Sequence, residues 1–395
     1  MKKQDIICIS MTTWEGDYMK TIVHMMSQLA KQHRVLFVDY GFTWKDLIYT
    51  LLGKSKAPVK RMLGWSPRLR KLKTREGYNI YHLTLPPLVP INWIKSPGLF
   101  KWMLRLQTLP IISTIKTVVN KLKFEHPVMI NAFHPVMGIA LADRLPVSRT
   151  IYYCYDEIRA AQWAGTHGGT YEDAFIPKVD GVVVTSEGLY VNRKALHPQV
   201  TLIKNGVDFD LFHQAFDPNR DHARKVVGYL GSIDDRLDYD LLEYLIKKQP
   251  NWDFHFVGRV TYPEGKNRLS SFENVTFFGA LQPDEIPGYL KKFDVGIIPF
   301  VVNQFTQNIY PLKINEYLAA GLPVVSTNFA NLDDFNEYIE IADRQDIFYA
   351  AVVYVLDSGT AGVQKRIEIA RQNGWETRAI ALEQVLDSLD LKSHV

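Results

Sequence analysis

The chain has 395 residues, which is too long for a single hydrophobic core, so we expect two domains of ordinary size. Its hydrophobic content of 47% and charged content of 22% exclude a disordered protein. No window approaches the roughly 20 apolar residues of a membrane-spanning helix. The first apolar run, 6–11, is interpreted as a strand and not as a secretory signal. Cys8 and Cys154 lie in apolar runs without metal-ligand spacing, which favours a reducing, cytosolic setting.

The net charge of +4 is small, but the basic residues are concentrated in one region. Between Asp46 and Glu125 the only acidic residue is Glu76. Lysines and arginines alternate there with tryptophan, phenylalanine and leucine, as in a surface helix that binds anionic lipid. A solvated basic face and a nucleic-acid surface are the alternatives, and no nucleic-acid fold signature accompanies the charge. We interpret 53–123 as a basic, aromatic insert, with contact to an anionic membrane through 54–123 and no nucleic-acid partner.

The first half of the chain alternates strand-like runs with helical patterns. The runs 5–11 and 34–40 flank a helical pattern at 18–31, which predicts a βαβ unit in a parallel sheet. Further strands are predicted at 78–85, 127–133, 150–157 and 181–186, and Ser186 is the expected N-cap of the helix that follows. In open sheets of this kind, ligands bind beyond the carboxyl ends of the strands.

The second half repeats the same plan. Strands are predicted at 225–232, 253–260, 275–281, 294–300 and 339–342, and helices at 240–248, 284–293, 345–356 and 375–389. The repetition predicts an α/β protein with two doubly wound, Rossmann-like domains facing a cleft. The expected boundaries are 1–205 for the first domain, 206–372 for the second and 373–395 for a terminal helix.

Several polar residues of the first half directly follow predicted strands. Trp14, Gly16 and Asp17 follow the first strand, and His134 and Asp156 follow two later ones. Their shared position at strand ends predicts a site at that edge of the sheet. For each residue a structural role is the alternative: a turn at Gly16, a hydrogen-bonded histidine at His134 and a buried carboxylate at Asp156.

The segment 308–326 combines three signals. A loop with Tyr310 and Pro311 leads into a short helix that carries Lys313 and Glu316 one turn apart, on one face. The helix dipole and the free N–H groups favour an anion at that end. A surface helix with a Lys–Glu pair is the alternative. We interpret the segment as a binding site for the phosphates and ribose of a sugar nucleotide.

Gly231, Arg236 and Arg259 follow two strands of the second half. Glycine lets backbone amides approach a phosphate closely, and arginine gives bidentate contacts to it. A surface charge is the alternative for Arg259. The DxD sequence at 208–210 lies in a turn-like run near the hinge, and no HExxH, CxxC, GxSxG or P-loop occurs. We therefore predict no metal site.

Three motifs carry a resemblance to known enzymes: NGVD at 205–208, the glycine loop at 231 and EYLAAGLPVV at 316–325. They resemble the GT-B fold glycosyltransferases of the family-4 (group 1) type, over nearly the whole chain. The run 294–325 is the most specific part. The segments 152–157, 171–189 and 202–212 resemble a bacterial subgroup that builds cell-surface polysaccharides of the teichuronic acid and exopolysaccharide kind.

The resemblance implies a retaining transferase that uses a nucleotide-diphospho-sugar, with UDP as the expected nucleotide and with neither metal nor cofactor. The second domain would bind the donor and the first a saccharide or lipid-linked acceptor, in the cytoplasm or on the inner face of the plasma membrane. A terminal helix beginning near Trp375 would return to the first domain. Glu316 would hold the ribose, and His134 would act at the transferred sugar. Asp156 is the second catalytic candidate, for a contact on the acceptor side. The remaining expected contacts are the diphosphate at Gly231, Arg236, Arg259, Tyr310, Pro311, Leu312 and Lys313, the donor sugar at Asn308 and Ile309, and the acceptor-side loop at Trp14, Gly16 and Asp17.

This sequence departs from the family pattern at Asn308, where a glutamate that contacts the donor sugar is usual. Two other functions stay open at this point. A UDP-sugar 2-epimerase shares the two-domain fold and needs no acceptor, and a non-catalytic protein could bind a sugar nucleotide with the same residues.

Overall fold

The computed structural model describes residues 3–16, 20–160, 166–220 and 222–392. Within them the chain forms two compact units. Unit 1 comprises 3–16, 20–203 and the chain from Ala379 onward, and unit 2 comprises 204–378. Asp17 of the predicted acceptor-side loop lies outside the described residues.

Unit 1 is built on an eight-stranded sheet, as far as the structure describes it. Its strands are β1 (Asp5–Ser10), β2 (Arg34–Val38), β3 (Leu69–Lys73), β4 (Asn79–Leu83), β5 (Val128–Ala132), β6 (Arg149–Cys154), β7 (Gly181–Val184) and β8 (Val200–Leu202). Its helices are α1 (Thr21–Leu29), α2 (Trp44–Leu51), α3 (Val59–Met62), α4 (Pro97–Leu122), α5 (Pro135–Leu141), α6 (Gly168–Phe175) and α7 (Glu187–Lys194). The order is β3-β4-β2-β1-β5-β6-β7-β8, and every pairing is parallel except β3 with β4.

Unit 2 is built on a six-stranded parallel sheet in its described part. Its strands are β9 (Val226–Leu230), β10 (Asp253–Val257), β11 (Val275–Gly279), β12 (Val295–Ile298), β13 (Val324–Ser326) and β14 (Glu340–Ile341), in the order β11-β10-β9-β12-β13-β14. The helices are α8 (Phe209–His213), α9 (Tyr239–Lys248), α10 (Pro263–Leu269), α11 (Ile286–Leu290), α12 (Leu312–Ala319), α13 (Gln345–Asp357) and α14 (Val363–Gln372), and α15 (Trp375–Lys392) ends the described chain.

The central strands are buried along their whole length, because helices cover both faces of each parallel sheet. The strand order reverses between β1 and β5 in unit 1 and between β9 and β12 in unit 2. Such reversal points open a crevice at the carboxyl ends of the strands, where ligands of doubly wound sheets bind. The fold therefore offers one such location in each unit, and the predicted α/β class with two doubly wound domains is confirmed.

Local sequence signals account for several helix ends. Ser186 caps α7 by accepting a hydrogen bond from the N–H of Leu189, as predicted. The Thr43 hydroxyl and the Asp46 carboxylate form a reciprocal capping box at the start of α2. The terminal helix is fixed within unit 1 by Glu383, whose carboxylate lies 3.1 Å from the buried ring of His33.

The structure adds two features to the predicted basic insert. The segment 53–76 contains an antiparallel edge strand, β3, which was not predicted because its sequence is rich in charged residues. Helix α4 is not simply a surface helix, because Phe100, Leu104 and Ile111 pack into the interior of unit 1. In addition, β6 ends at Cys154, so the predicted strand 150–157 is three residues shorter at its carboxyl end.

Candidate functional site

Helix α12 is fixed against the sheet of unit 2 by Tyr317. The Tyr317 ring packs against Gly296 of β12, where an added Cβ would lie 2.6 Å from the ring. Its hydroxyl accepts a hydrogen bond from the N–H of Leu230, the last residue of β9, at 2.7 Å. These two contacts hold α12 beside the β9–β12 reversal point. Lys313 and Glu316 on the same helix are thereby placed at that edge of the sheet.

The loops after β9 and β10 approach each other through two glycines. Gly231 and Gly258 both have φ of 147°, a conformation that side chains other than glycine rarely adopt. A Cβ on Gly258 would lie 1.9 Å from the carbonyl oxygen of Gly231, and a Cβ on Gly231 would lie 2.1 Å from Cε of Lys313. The Lys313 side chain thus lies directly over the Gly231 backbone. Gly231 and Lys313, which were both expected at the diphosphate, are thus neighbours in the structure.

Arg236 is oriented by its neighbour Asp234. Its Nε donates to both carboxylate oxygens of Asp234, at 2.9 and 3.0 Å, and its guanidinium lies 5.4 Å from the centre of the Phe300 ring. The Arg236 carbonyl accepts from the N–H of Val301, which ties this loop to the chain leaving β12. Lys313 Nζ lies 5.6 Å from the centre of the same Phe300 ring. Two cationic side chains therefore flank one aromatic ring.

The pKa values of Lys313 and Glu316 are shifted towards each other. Burial, and then repulsion from Arg236, lower the pKa of the Lys313 ammonium to about 8. Burial raises the pKa of the Glu316 carboxyl to about 7, and the nearby Lys313 offsets part of that rise. Strong, opposed shifts in one crevice are typical of functional sites. An incoming diphosphate would favour the charged form of Lys313.

The loop before α12 is held by its own contacts. The Asn308 side-chain amide donates to the carbonyl of Gln304 at 2.7 Å and is largely buried, and the buried Tyr310 ring packs 5.7 Å from Phe335. Pro311 is the N-cap residue of α12 and supplies no side-chain cap. The first N–H groups of the helix, at Leu312 and Lys313, therefore have no side-chain cap, as an anion site requires. The partly buried Ile309 belongs to the same loop.

Arg259 and Asp208 of the DxD sequence each contribute to a hydrogen bond within the fold of unit 2. Arg259 is exposed, and its carbonyl accepts a hydrogen bond from Ile233 at 2.9 Å. Asp208 caps α8 by accepting from the N–H of Leu211. Among the described residues no cluster of three or more His, Cys, Asp or Glu side chains is placed to hold a metal ion.

In unit 1, His134 is positioned through its backbone. The side-chain amide of Asn131 accepts from the His134 N–H and donates to the His134 carbonyl, both at 3.0 Å. The preceding Phe133 is buried and has φ of 56°, an uncommon conformation for such a residue. Burial lowers the pKa of His134 to about 4, so its imidazole is neutral at physiological pH. A neutral imidazole can both donate and accept one hydrogen bond.

His134 lines a cavity of about 540 Å³ at the reversal point of the unit 1 sheet. Met11 after β1 and Phe133 after β5 lie at its strand-end side, and α2, the loop 88–93 and α4 form other walls. Among the described residues, Asp156, Trp14 and Gly16 do not line it. The structure therefore associates His134 with a cavity and leaves the other three candidates outside it.

Those three candidates have structural contacts. The Asp156 carboxylate accepts from the N–H of Glu157 at 2.9 Å. The Trp14 N–H donates to Asp39 at 2.8 Å, and Gly16 packs over the ammonium of Lys20. These contacts hold the three residues in place, and their roles towards an acceptor stay predictions.

The loop 11–16 is further fixed by charge. The ammonium of Lys20 donates to the carbonyls of Thr13 and Glu15 at 2.6 and 2.8 Å. Although burial by itself would raise it, hydrogen bonds from Arg70 and Arg61 lower the pKa of Glu15 to about 2. Two arginines of the basic insert are thus used inside unit 1.

Sequence reasoning did not single out Tyr317, Phe300 or Asp234, which place and orient the cluster of unit 2. Tyr317 follows Glu316 directly, but nothing in the sequence distinguishes a core tyrosine from one that holds a helix. Asp234 precedes Arg236 by two residues, and that spacing was the available signal for their pairing.

A second cavity, of about 710 Å³, lies at the opposite, amino-terminal edge of the unit 2 sheet. Two of its lining arginines, Arg220 and Arg366, donate to the carbonyls of Ala320 and Gly321 after α12. These arginines donate to carbonyl groups at the carboxyl end of the helix.

Residues 224–358 match the family described as glycosyl transferases group 1. The chain is 32% identical over 222 residues to the putative teichuronic acid biosynthesis glycosyltransferase TuaH of Bacillus subtilis (strain 168). That match covers 51% of this chain and 55% of the relative, so the chain spans about half the length of this curated relative.

Solved structures share the fold across the whole chain. Sucrose-phosphate synthase from Thermosynechococcus elongatus matches with a TM-score of 0.70 at 16% identity, covering 99% of this chain and 100% of that one. The Anabaena protein HepE, solved in complex with UDP, matches with a TM-score of 0.61 at 13% identity, covering 98% and 100%. At these identities the likeness concerns the fold alone. Together with the family match, it confirms the resemblance to GT-B glycosyltransferases of the family-4 type.

Proposed function

We propose that this chain, whose residues 224–358 belong to the glycosyl transferases group 1 and whose fold is of the GT-B type, is a retaining glycosyltransferase. It moves a hexose from a nucleotide-diphospho-sugar to a saccharide or lipid-linked acceptor in cell-surface polysaccharide synthesis. The observation that carries the proposal is the cluster at the unit 2 reversal point. There Lys313 lies over Gly231, beside Arg236 and one turn from Glu316.

The cluster suits a nucleoside diphosphate. The ammonium of Lys313, the guanidinium of Arg236 and the uncapped start of α12 supply positive potential, and the Gly231 backbone permits close approach. Glu316, when ionised, can accept hydrogen bonds from both hydroxyls of a ribose. UDP is the proposed nucleotide, a choice supported by the UDP complex of HepE.

The reaction breaks the bond between the anomeric carbon and the diphosphate oxygen. The bonding electrons leave with the nucleoside diphosphate, and the acceptor oxygen forms the new bond on the same face while its proton is released. Lys313, Arg236 and the start of α12 stabilise the negative charge that develops on the leaving group. His134, being neutral, orients a sugar hydroxyl by hydrogen bonding. Because these groups supply the charge, we propose that turnover needs no metal and persists in EDTA.

The acceptor side of the proposal rests on unit 1. TuaH is named for teichuronic acid biosynthesis, which supports a cell-surface polysaccharide as the product. Most exposed large apolar side chains of the described chain lie between Trp44 and Leu109, interleaved with exposed lysines. We propose that this surface binds the anionic inner face of the membrane from the cytoplasm. None of the described helices has the length and hydropathy of a membrane crossing.

The donor is tested by thermal shift with UDP-, GDP-, dTDP- and CMP-sugars, followed by an assay of nucleotide release. We expect a UDP-sugar to raise the melting temperature and to be turned over when membrane lipid extract supplies an acceptor. Glu316→Gln should reduce both effects. Sugar isomerisation without an acceptor would identify an epimerase, and binding without turnover would identify a non-catalytic protein. No shift with any sugar nucleotide would contradict the proposal.

The membrane surface is tested by cosedimentation with vesicles containing phosphatidylglycerol. We expect Trp102→Ser together with Leu106→Ser to weaken binding by at least about tenfold, because each removes apolar surface from the interface. The exposed Val191→Ser in α7 is the matched control. For the charge contribution Lys54, Lys56 and Lys60 are the residues to neutralise, since Arg61 is paired with Glu15. Unchanged binding by both multiple variants would refute this surface.

A further inference from the structure

We propose that the 540 Å³ cavity of unit 1 binds the apolar chain of a phosphate-linked lipid acceptor, with the polar end of that acceptor towards His134. The inference rests on the proposed function and specifies its acceptor class. The occupant is a hydrocarbon chain attached to a phosphate, and a saccharide alone is the alternative that the experiment distinguishes.

The walls of the cavity change in character from one side to the other. Its strand-end side contains His134, whereas the loop 88–93 and α4 contribute Leu88, Ile91 and Leu104. Aliphatic side chains provide no hydrogen-bond partner for a sugar hydroxyl, so burying a saccharide against them is unfavourable. A hydrocarbon chain gains about 0.8 kcal/mol for each methylene that leaves water. This composition therefore favours an amphiphile with a polar end.

The cavity is continuous with the exposed apolar surface of unit 1. Val89 and Trp93 line it, yet they are 43% and 75% exposed. Tyr49 of α2 also lines it and is 41% exposed. Ile48 on α2 and Trp102 on α4 are exposed as well. The cavity lining thus includes apolar side chains that are also part of this exposed surface.

The basic side chains on the lining and on the neighbouring part of unit 1 complement a phosphate. Lys45 lines the cavity and is exposed, and Lys95, Lys101 and Arg105 are exposed on and before α4. The acidic residue on the lining, Asp46, is engaged, since its carboxylate accepts from the Thr43 N–H and hydroxyl at 2.7 Å. The favoured ligand thus carries negative charge next to its chain.

The cavity is preformed by hydrogen bonds in its walls. The Val89 N–H donates to the side chain of Gln107 at 3.0 Å, and the Trp93 indole donates to the carbonyl of Pro90 at 2.7 Å. The Leu88 carbonyl accepts from Trp44 at 2.9 Å. A preformed apolar site requires little ordering when its ligand binds.

The probe is farnesyl phosphate, held below its critical micelle concentration and titrated into the full chain by calorimetry. We expect saturable binding, and Val89→Asp should weaken it by at least tenfold because a carboxylate would enter the apolar wall and repel the phosphate. Tyr49→Asp is the second cavity variant. Val191→Asp is the matched control, because Val191 is also an exposed valine but lies outside the cavity.

Methyl glucoside, a saccharide without a phosphate, separates the two occupants. We expect it not to compete with farnesyl phosphate; competition, or binding unaffected by both cavity variants, would overturn the proposal. The Trp102→Ser, Leu106→Ser variant should bind the probe normally, since no membrane is present. UDP binding measured on the same samples reports the proposed function separately. Loss of probe binding with intact UDP binding would refute the acceptor class alone.

Discussion

The reversal points of the two sheets have opposite chemistry. In unit 2, glycines, an ammonium, a guanidinium and a carboxylate meet at the start of α12. In unit 1, mainly aliphatic and aromatic side chains line a cavity whose strand-end side holds a neutral histidine. The doubly wound topology is the same in both. The topology therefore decides where each site lies, and the loops after the strands decide which ligand suits it.

The difference also separates two tasks of a transfer reaction. The departure of the nucleoside diphosphate requires a positive potential that is already in place before the bond breaks. Binding an acceptor requires a cavity of matching shape and a group that can orient a hydroxyl without attracting the negatively charged leaving group. A protonated His134 would attract that group, and burial keeps His134 neutral. Each prediction below alters one of the two sites and leaves the other intact.

The largest effect is expected from Lys313→Met, which keeps the length of the side chain and removes its charge. We expect kcat for donor turnover to fall about 10²–10³-fold, the usual result of removing one transition-state donor. Binding of farnesyl phosphate to unit 1 should not change. Lys365→Met, at an exposed lysine of α14, is the control. A kcat within twofold of the wild type would exclude Lys313 from charge stabilisation.

Next in size is the effect of Gly258→Ala on the stability of unit 2. The new Cβ would meet the Gly231 carbonyl and also be strained at φ of 147°, so we expect the free energy of unfolding to fall by about 2–4 kcal/mol. Gly279→Ala has a positive φ of 75° but open space around its Cβ, and it should cost only about 1–2 kcal/mol. Urea titration measures both. Equal losses would show that the close approach of the two loops is not rigid.

We expect the donor to be turned over efficiently only within a narrow pH range. Ribose binding requires ionised Glu316, whose pKa is raised to about 7, so kcat/KM should fall as the pH drops below that value. Charge stabilisation requires protonated Lys313, whose pKa is lowered to about 8, so kcat/KM should also fall above it. Both limbs of this pH profile report on Lys313 and Glu316 together, because the two groups interact. Along each limb kcat/KM should change about tenfold per pH unit. Glu316→Gln should remove the acid limb, and a limb that persists would assign it elsewhere.

The smallest effect concerns His134 and acid stability. Burial depresses its folded pKa to about 4 from an ordinary 6.5, so the unfolded chain binds its proton first as the pH falls. The stability that neutral His134 permits is therefore complete above pH 6.5 and is lost as the pH falls towards 4. We expect His134→Gln to reduce the slope of unfolding free energy against pH in that window. Asp156→Asn is the control, and an identical slope for wild type and His134→Gln would contradict this burial effect.

Part of the candidate site follows from local sequence. The spacing of Lys313 and Glu316 fixes them on one face of a helix, and Gly231 follows a run of apolar residues that has to be a strand. The contacts between these parts do not follow from it. Gly258 gave no sign that it abuts Gly231, and Tyr317 gave none that it ties α12 to β9, because both contacts join residues far apart in sequence.

The sequence by itself determined the α/β class, the two-domain plan and the helix that carries Lys313 and Glu316, since these depend on hydrophobic periodicity and on helix geometry. The tertiary structure decided that Arg236 is oriented by Asp234 and that α4 turns one face into the core. It also decided that Asp156, Trp14 and Gly16 have structural contacts while His134 lines a cavity. Burial, pKa and access depend on which segments pack together, and packing is a property of the whole fold rather than of any one stretch.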